Sequence, residues 1–444
     1  MKKLFGTDGI RGTANQFPIT AELALKLGRS LPSALNQPQP RILIGRDTRL
    51  SGDMLQAALT AGLLAEGTQV LHAGILPTPA IARLTIEENC HAGIMLTASH
   101  NPFPDNGIKI FGPDGYKLND QQETTLEQLL LTDTPPTENS PVGTLITLTN
   151  PAQRFLDFLK SSTPDLDLTA TTIVLDAAHG AGYQVGPALF EQLGATVIPL
   201  GTQPTGTNIN HQVGSLHPEQ AATLVQEHQA HLGVCLDGDA DRLTLIDATG
   251  TIVNGDRLLC LAALALKRRG QLANDTLVAT IMSNLGLSEA LAKHNLQLET
   301  TAVGDRHVRE RMREKGRALG GENSGHLIFS QHATTGDGIL AALQILAEMK
   351  ATGQPLATLA NCMEVFPQTL INIPVRDKPP LDQIPGLPEL ISQAESEMAT
   401  NGRVLVRYSG TEKKMRVMVE AKEDATAQHW AQTLSDLVQK ELGV

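Results

Sequence analysis

Short apolar runs recur along the chain, and each one stops at a polar loop that leads into a helix-like stretch. The runs lie at residues 41–45 (RILIG), 172–175 (TIVL) and 276–279 (TLVA). A buried strand followed by a loop and a helix is typical of α/β proteins. We therefore predict an α/β fold in which these runs are buried strands.

A second set of segments repeats more visibly. Residues 91–97 (HAGIMLT) and 231–237 (HLGVCLD) share the positions of His, Gly and Leu, and each ends in a polar loop before an alternating strand. Residues 318–329 (ALGGENSGHLIF) form a third copy of this pattern. Three matches with the polar loop in the same place indicate duplicated domains. Ligands of open α/β sheets bind outside the carboxyl ends of strands, so we expect the three loops to converge on one cleft.

Composition and pattern also divide the chain. Residues 132–143 (TDTPPTENSPVG) are rich in Pro, Ser and Thr, as linkers are, and a second junction lies near residues 254–257. After residue 364 the pattern becomes strand, helix, strand and strand, which predicts a small α+β domain. The predicted domains are three α/β domains at residues 1–143, 144–253 and 254–364, followed by the α+β domain at residues 365–444.

The charge of the chain restricts its partners. The formal net charge is −12 and the sequence pI is about 5.5, which argues against binding to nucleic acid or to an anionic membrane. No run of 18 apolar residues and no apolar segment after the first lysines is present, so we expect a cytoplasmic protein. An anionic small molecule stays possible, because local arginines can overcome the global sign. The arginines of residues 306–317 alternate with glutamates, and we expect most of them on a solvated helix face.

Residues 237–242 (DGDADR) place Asp237, Asp239 and Asp241 within five positions. Carboxylates this close repel one another, and a folded loop that holds them needs a cation. An EF-hand does not fit, because Arg242 replaces the glycine at its sixth position and Ala248 the glutamate at its twelfth. Three carboxylate oxygens leave coordination sites free for a phosphate oxygen, which suits one Mg²⁺ per chain. A solvated turn is the alternative.

Residues 97–102 (TASHNP) contain a Ser–His pair, but adjacent residues of an extended segment point to opposite faces. Ser99 and His100 are therefore badly placed as nucleophile and base of a hydrolase, and no G-x-S-x-G motif surrounds Ser99. The repeat instead makes this loop the counterpart of the aspartate loop. A phosphoester on Ser99 could then complete the metal's coordination.

Two further loops carry polar groups suited to a sugar phosphate. Residues 321–326 (GENSGH) offer Glu322, Ser324 and His326 between glycines, an arrangement that suits sugar hydroxyls but also occurs in surface turns. Residues 407–416 (RYSGTEKKMR) combine a guanidinium, hydroxyls and a glycine backbone, which are the donors that bind a phosphate dianion.

These four loops, in this order and at this spacing, resemble those of the α-D-phosphohexomutase superfamily over essentially the whole chain. Residues 5–12 (FGTDGIRG) and 303–306 (VGDR) resemble the branch that acts on glucosamine phosphates. The resemblance implies three related α/β domains and a C-terminal domain with a TATA-binding-protein-like fold around a central cleft. It also implies interconversion of glucosamine 6-phosphate and glucosamine 1-phosphate, through a phosphoserine and a bound sugar bisphosphate that serves as intermediate and activator.

Residue roles follow from the same resemblance. Ser99 would be the phosphorylated nucleophile and a metal ligand with Asp237, Asp239 and Asp241. Basic residues near the phosphoserine would be Arg11 and Lys109, and the general acid or base would be Lys109, His100 or His326. The remaining matches are to the sugar-binding loop (Glu322, Ser324, His326) and to the phosphate-binding loop (Arg407, Ser409, Gly410, Thr411).

Some positions depart from the family pattern, and some alternatives stay open. Tyr408 stands where many relatives have Pro, and Ala240 replaces a common Gly. The close alternative is a phosphomannomutase/phosphoglucomutase; a phosphatase acting through Ser99 and a non-catalytic sugar-phosphate sensor are more distant ones. The resemblance implies a small hexosamine phosphate as the partner, and a homodimer is one option for the oligomeric state.

Overall fold

The computed structural model describes residues 4–6, 8–132, 141–409 and 413–444, so residues 133–140 of the predicted linker lie outside it. The chain divides into two compact units, Met1–Met282 with Leu296–Cys362, and Ser283–Asn295 with Met363–Val444. The described residues form four sheets. None of the helices among them combines the length and the apolar character needed to span a bilayer.

The first sheet has the strand order β1-β2-β6-β5-β3-β4-β7. Its strands are β1 (Phe5–Gly6), β2 (Gly9–Thr13), β3 (Arg41–Arg46), β4 (Gln69–Ile75), β5 (Ala92–Leu96), β6 (Asp105–Phe111) and β7 (Thr144–Thr147). The helices along this part of the chain are α1 (Ala21–Ala34), α2 (Gly52–Ala65), α3 (Thr78–Glu87) and α4 (Asp120–Leu131). Strand β7 pairs with β4 of this sheet, although it follows residue 143.

The second sheet has the order β12-β11-β10-β8-β9 and the third the order β14-β13-β15-β16. Elements between residues 151 and 253 are α5 (Pro151–Ser161), β8 (Thr172–Asp176), α6 (Val185–Gln192), β9 (Thr196–Leu200), α7 (Glu219–Glu227), β10 (Leu232–Leu236), β11 (Leu243–Asp247) and β12 (Ile252–Val253). Elements between residues 255 and 359 are α8 (Gly255–Arg268), β13 (Thr276–Thr280), α9 (Leu285–Lys293), β14 (Gln297–Thr301), α10 (Asp305–Lys315), β15 (Leu319–Gly321), β16 (Leu327–Phe329), α11 (Gly338–Thr352) and α12 (Leu356–Leu359).

The predicted repeat is confirmed by strand order. The orders β4-β3-β5-β6, β9-β8-β10-β11 and β14-β13-β15-β16 are the same pattern in three sheets. In each, the last strand is antiparallel to its neighbour and the other pairs are parallel. The loops that carry Ser99, Asp237 and Glu322 therefore occupy equivalent places, between the last two strands of each repeat.

Strands β5 and β10 are buried along their whole length, as expected for apolar central strands covered on both faces. Glycine permits a close contact between two helices of the first domain. A Cβ atom on Gly28 of α1 would lie 2.4 Å from the Leu59 carbonyl oxygen of α2, and one on Gly62 would lie 2.2 Å from the Leu25 carbonyl oxygen. The backbones of α1 and α2 can approach this closely only without side chains at these two positions.

The C-terminal region is α+β, as predicted. Its sheet, in the order β17-β19-β18, is antiparallel, and its elements are β17 (Gln368–Pro374), α13 (Leu387–Met398), β18 (Gly402–Tyr408), β19 (Lys414–Ala421) and α14 (Asp424–Leu442). Val417 and Val419 of β19 pack with Trp430 and Leu434 of α14 in one apolar core.

The arginine-rich helix α10 differs from the expectation of a solvated face. Arg306 and Arg309 are 6% and 5% exposed, whereas Arg313 on the same helix is exposed. Arg306 donates to the buried carboxylate of Glu123 at 2.9 Å and to the Leu118 carbonyl oxygen at 3.3 Å. The pairing satisfies the buried guanidinium with partners that lie far away in the sequence.

Candidate active site

The three aspartates of the DGDADR loop lie together at the end of β10. Asp237, Asp239 and Asp241 are all buried, and one carboxylate oxygen of each lies within 4.8 Å of the others. Among the described residues, this is the group of acidic, His or Cys side chains whose geometry could hold a metal ion. The backbone of the loop is unusual, because Ala240 has a φ of +57°. That left-handed conformation is easiest for glycine and is strained for alanine.

Ser99 reaches this cluster from the equivalent loop after β5. Its hydroxyl donates to Asp237 Oδ2 at 2.5 Å, across 138 positions of sequence. The residue is 1% exposed and has a φ of +52°. The structure thus brings together the predicted nucleophile and the predicted metal loop, in the pairing that the repeat suggested.

Glycine lets the backbones of these loops approach one another. A Cβ atom on Gly238 would lie 2.5 Å from the Ser99 carbonyl oxygen, and one on Gly180 would lie 2.3 Å from the Gly238 carbonyl oxygen. The Ala181 amide also donates to the Gly238 carbonyl at 2.8 Å. The Ser99 loop, the metal loop and the turn before α6 are therefore stacked backbone against backbone.

Lys109 of β6 supplies the main positive charge of the cluster. Its ammonium lies 2.8 Å from Asp239 Oδ2, 3.1 Å from Asp241 Oδ2 and 3.2 Å from Asp8 Oδ2. Burial opposes the charged form, but these carboxylates raise the pKa of Lys109 well above its usual value. Burial, with the charges of Asp239 and Asp241, raises the pKa of Asp237. Although burial acts in the other direction, Lys109 holds the pKa of Asp241 well below its usual value.

The chemistry of the donor set fits a divalent cation. Asp239 Oδ1 and Asp241 Oδ1 are buried and have no hydrogen-bond partner among the described residues. Buried carboxylate oxygens are normally satisfied, so two orphaned oxygens in one cluster indicate a missing partner. Carboxylate oxygens are also the ligands that Mg²⁺ prefers.

Arg11, His100 and Arg242 surround the cluster. Arg11 pairs with Asp8, and the charges of Asp239 and Asp241 contribute to raising its pKa against the effect of burial. Burial, with the charges of Arg242 and Arg11, lowers the pKa of His100 to about 4. The Nδ1 atom of His100 is buried without a hydrogen-bond partner among the described residues. Arg242 was not among the predicted site residues, although it ends the metal motif.

The third loop contributes Glu322, Ser324 and His326. Glu322 Oε1 accepts from the Gly304 amide at 3.0 Å, and the Ser324 hydroxyl has no hydrogen-bond partner among the described residues. His326 is 2% exposed, and its Nδ1 lies 3.5 Å from Asp241 Oδ1. The Gly336 amide donates to Nε2 at 3.1 Å, so Nδ1 carries the proton toward Asp241. This histidine therefore contacts the metal loop as well as forming part of the predicted sugar loop.

Sequence reasoning missed a ring of alternating acidic and basic side chains beside the aspartates. Lys117 pairs with Asp8 and, at 2.6 Å, with Asp305. Asp305 Oδ2 lies 3.8 Å from His326 Nε2. The ring of ion pairs runs through Asp241, Lys109, Asp8, Lys117 and Asp305, and the His326 imidazole fills the space between Asp305 and Asp241. Asp8 lies within the FGTDGIRG segment, which was the one signal that could have led to it.

The predicted phosphate loop belongs to the second unit. Arg407 on β18 pairs in register with Arg416 on β19, and burial together with the charge of Arg416 lowers the pKa of Arg407. Ser409 is 3% exposed, and the Lys378 ammonium donates to its carbonyl oxygen at 2.6 Å. Two neighbouring arginines are compatible with binding of an anion. Gly410 and Thr411 lie outside the described residues.

Comparison with known families matches most of the chain. Four family models described as phosphoglucomutase/phosphomannomutase apply. They are alpha/beta/alpha domain I at residues 2–136, domain II at residues 153–250, domain III at residues 254–366 and the C-terminal domain at residues 370–437.

Individual proteins are also similar. A phosphoglucosamine mutase of Citrifermentans bemidjiense is 48% identical over 449 residues, which cover 100% of this chain and 99% of that relative. A solved phosphoglucomutase/phosphomannomutase family protein of Burkholderia thailandensis has a TM-score of 0.80 at 23% identity, with 100% of both chains covered. An Aspergillus fumigatus N-acetylphosphoglucosamine mutase, solved with GlcNAc-6P and magnesium, has a TM-score of 0.68 at 18% identity, with 99% of this chain and 96% of that chain covered. Both solved structures support the fold. The chain therefore belongs to the α-D-phosphohexomutase superfamily, in the branch of the phosphoglucosamine mutases.

Proposed function

We propose that the protein interconverts glucosamine 6-phosphate and glucosamine 1-phosphate through a phosphoserine at Ser99. The 48% identity to a phosphoglucosamine mutase over the whole chain supports this substrate. One observation carries the chemistry: the Ser99 hydroxyl lies 2.5 Å from Asp237, within a buried acidic cluster that fits a cation. A nucleophile at such a site can hold and transfer a phosphoryl group.

In the first half-reaction, the phosphoryl group on Ser99 passes to the free hydroxyl of the sugar phosphate. The P–O bond to Ser99 breaks, a P–O bond to the sugar forms, and the sugar's proton moves through a general base so that Ser99 regains its hydroxyl. The resulting bisphosphate turns in the site, and Ser99 takes the other phosphoryl group by the reverse exchange. A dissociated bisphosphate can rephosphorylate Ser99, which makes it an activator.

Asp237, Asp239 and Asp241, with an oxygen on Ser99, would hold one Mg²⁺. The ion would supply Lewis-acid stabilisation of the charge on the transferring group. Lys109 and Arg11 contribute positive charge from the protein itself, and such preorganised charge supplies much of the catalysis in phosphoryl transfer. The general acid or base is one of Lys109, His100 and His326.

The substrate's sugar and its second phosphate need separate groups. Glu322, Ser324 and His326 would bind the sugar's hydroxyl or amino groups. The Ser324 hydroxyl has no hydrogen-bond partner among the described residues, and His326 Nδ1 lies 3.5 Å from Asp241 Oδ1. The phosphate-binding loop would bind the phosphate group that does not react. Its residues are Arg407, Ser409, Gly410 and Thr411. The four domain ranges predicted from the sequence, and a homodimer as one option for the assembly, stay part of this proposal.

Substrate specificity is tested by measuring kcat/KM for glucosamine-, glucose- and mannose-phosphates side by side with the same enzyme. The proposal expects the highest value for the glucosamine phosphates. A preference for mannose or glucose phosphates would support the phosphomannomutase/phosphoglucomutase alternative. Release of inorganic phosphate without isomerisation would support a phosphatase.

A further inference from the structure

A buried arginine outside the four predicted loops donates hydrogen bonds to the backbone of the Ser99 loop. Arg49 follows β3, and its side chain and that of Asp47 are both 0% exposed. We propose that Arg49, oriented by Asp47, is a positioning residue that holds Ser99 in the geometry needed for phosphoryl transfer. The inference rests on the proposed function, because it assigns a role in that reaction.

The guanidinium of Arg49 makes as many hydrogen bonds as it has N–H donors. Its Nη1 donates to the carbonyl oxygens of Pro102 at 2.6 Å and Asp105 at 2.9 Å. Its Nη2 donates to the carbonyl oxygens of Ser99 at 2.9 Å and Asn101 at 2.7 Å. Its Nε donates to Asp47. A guanidinium has five donors in a planar fork, so this one side chain is saturated by the backbone of one loop and one carboxylate.

Asp47 connects the arginine to the other side of the same loop. Its Oδ2 accepts from Arg49 Nε at 2.9 Å and from the Thr97 hydroxyl at 2.7 Å, and its Oδ1 accepts from the Arg49 amide at 3.0 Å. Thr97 Oγ1 in turn accepts from the Ser99 amide at 2.9 Å. Both the amide and the carbonyl of Ser99 are therefore held, one through Thr97 and the other by Arg49.

Asn210 holds the same backbone from the side of the second repeat. Its Nδ2 donates to the carbonyl oxygens of Ser99 at 2.8 Å and Asn101 at 3.0 Å, the two acceptors that Arg49 Nη2 also uses. Asn210 has a φ of +57°, so glycine is the replacement that removes these donors without adding backbone strain.

This support is needed because Ser99 has the positive φ described above, a conformation that a serine seldom adopts unaided. Relaxation of the loop would turn the hydroxyl away from Asp237. In enzymes, a misplacement of about 1 Å can cost on the order of 100-fold in rate. The contacts of Arg49 therefore predict a defect in the transfer step itself, beyond any loss of stability.

The test compares Arg49→Lys and Asn210→Gly with a control at another buried arginine, Arg306→Lys. Lysine has three donors on one atom and cannot reach four carbonyl groups. For folded protein well below its melting temperature, we expect kcat and the single-turnover transfer from phosphorylated Ser99 to fall about 100-fold in Arg49→Lys. A loss of about 10-fold is expected in Asn210→Gly, with little change in KM in either case. Arg306→Lys should lower the melting temperature and leave the transfer rate within about 2-fold.

The outcomes separate the two hypotheses. If wild-type protein carries no phosphoserine and shows no mutase turnover, the proposed function fails and the positioning role with it. If the wild type turns over but folded Arg49→Lys transfers phosphoryl at the wild-type rate, the positioning role alone is wrong. If Arg49→Lys does not fold, Asn210→Gly decides: an unchanged transfer rate, or a loss equal to that of Arg306→Lys, overturns the inference.

Discussion

Replacement of Gly238 by alanine tests how closely the metal loop and the Ser99 loop depend on each other. The added Cβ would lie 2.5 Å from the Ser99 carbonyl oxygen, 2.7 Å from Asn210 Nδ2 and 2.9 Å from Ile209 Cδ1. Carbon–oxygen contacts are ordinarily about 3.3 Å or longer. One loop must therefore move by roughly 0.8 Å relative to the other, a displacement that follows from these two distances.

The shift has two expected costs. Overpacking in a buried site destabilises proteins by about 1–3 kcal/mol. A displacement of this size between Ser99 and Asp237 should also reduce kcat by roughly 10- to 100-fold, since a misplacement of about 1 Å can cost on the order of 100-fold. The activity loss should exceed what the lost stability explains, because the enzyme stays folded at the assay temperature.

The assay measures kcat, the phosphoserine content and the thermal melting point of Gly238→Ala. Gly353→Ala is the matched control, because Gly353 has a φ of +66° at the end of α11 and an added Cβ would meet no atom within 4 Å. Alanine in a left-handed conformation there costs roughly 1–2 kcal/mol of stability. Because this strain is confined to the end of α11, the kcat of Gly353→Ala should equal that of the wild type. If Gly238→Ala keeps wild-type kcat while folded, the close coupling of the two loops is refuted.

Three further predictions concern the proposed roles. Ser99→Ala should remove turnover and the covalent phosphate found by peptide mass spectrometry, and near wild-type turnover would exclude the phosphoserine mechanism. Asp239→Asn should lose most of the activity, and EDTA should inhibit the wild type reversibly. Asp247→Asn is the control, because the Asp247 carboxylate accepts from the amides of residues 249 and 251 in a turn. An equal loss of activity in Asp247→Asn would count against the metal site. Arg407→Ala should lower kcat/KM about 30- to several-thousand-fold, because loss of a charged hydrogen-bond partner typically costs roughly 2–5 kcal/mol. Ser99 should still be phosphorylated by a small phosphoryl donor. Unchanged kinetics would favour a phosphatase.

The repeated sheets could be predicted because their signal is local. Strands β5 and β10 are continuous apolar runs, and each is followed by a loop whose polar residues stand out from its surroundings. Duplication then supplied a second, independent argument, since equivalent loops must lie at equivalent edges. The prediction that the Ser99 loop lies beside the aspartate loop followed from this equivalence.

Contacts between distant residues could not be predicted in this way. Lys117 bonds Asp8 and Asp305, which are 109 and 188 positions away, and no spacing rule connects such residues. Most arginines of residues 306–317 were expected on a solvated face because glutamates alternate with them in sequence, yet Arg306 pairs with the buried Glu123, 183 positions away. The role of Arg49 could not be predicted for a related reason. Its acceptors are backbone carbonyl groups, which every residue has, so no sequence pattern distinguishes them.

The ring of acidic and basic side chains restricts how this site can change during evolution. Lys117 stands between two carboxylates, those of Asp8 and Asp305, and is 7% exposed. Loss of one member removes a charge partner from its neighbours in a largely buried site, which is destabilising. Substitutions along Asp8, Lys117 and Asp305 should therefore be accepted only as compensated exchanges. Among related chains, these positions should vary together or not at all. A variant in which the charges of two partners are exchanged should be more stable than either single charge reversal.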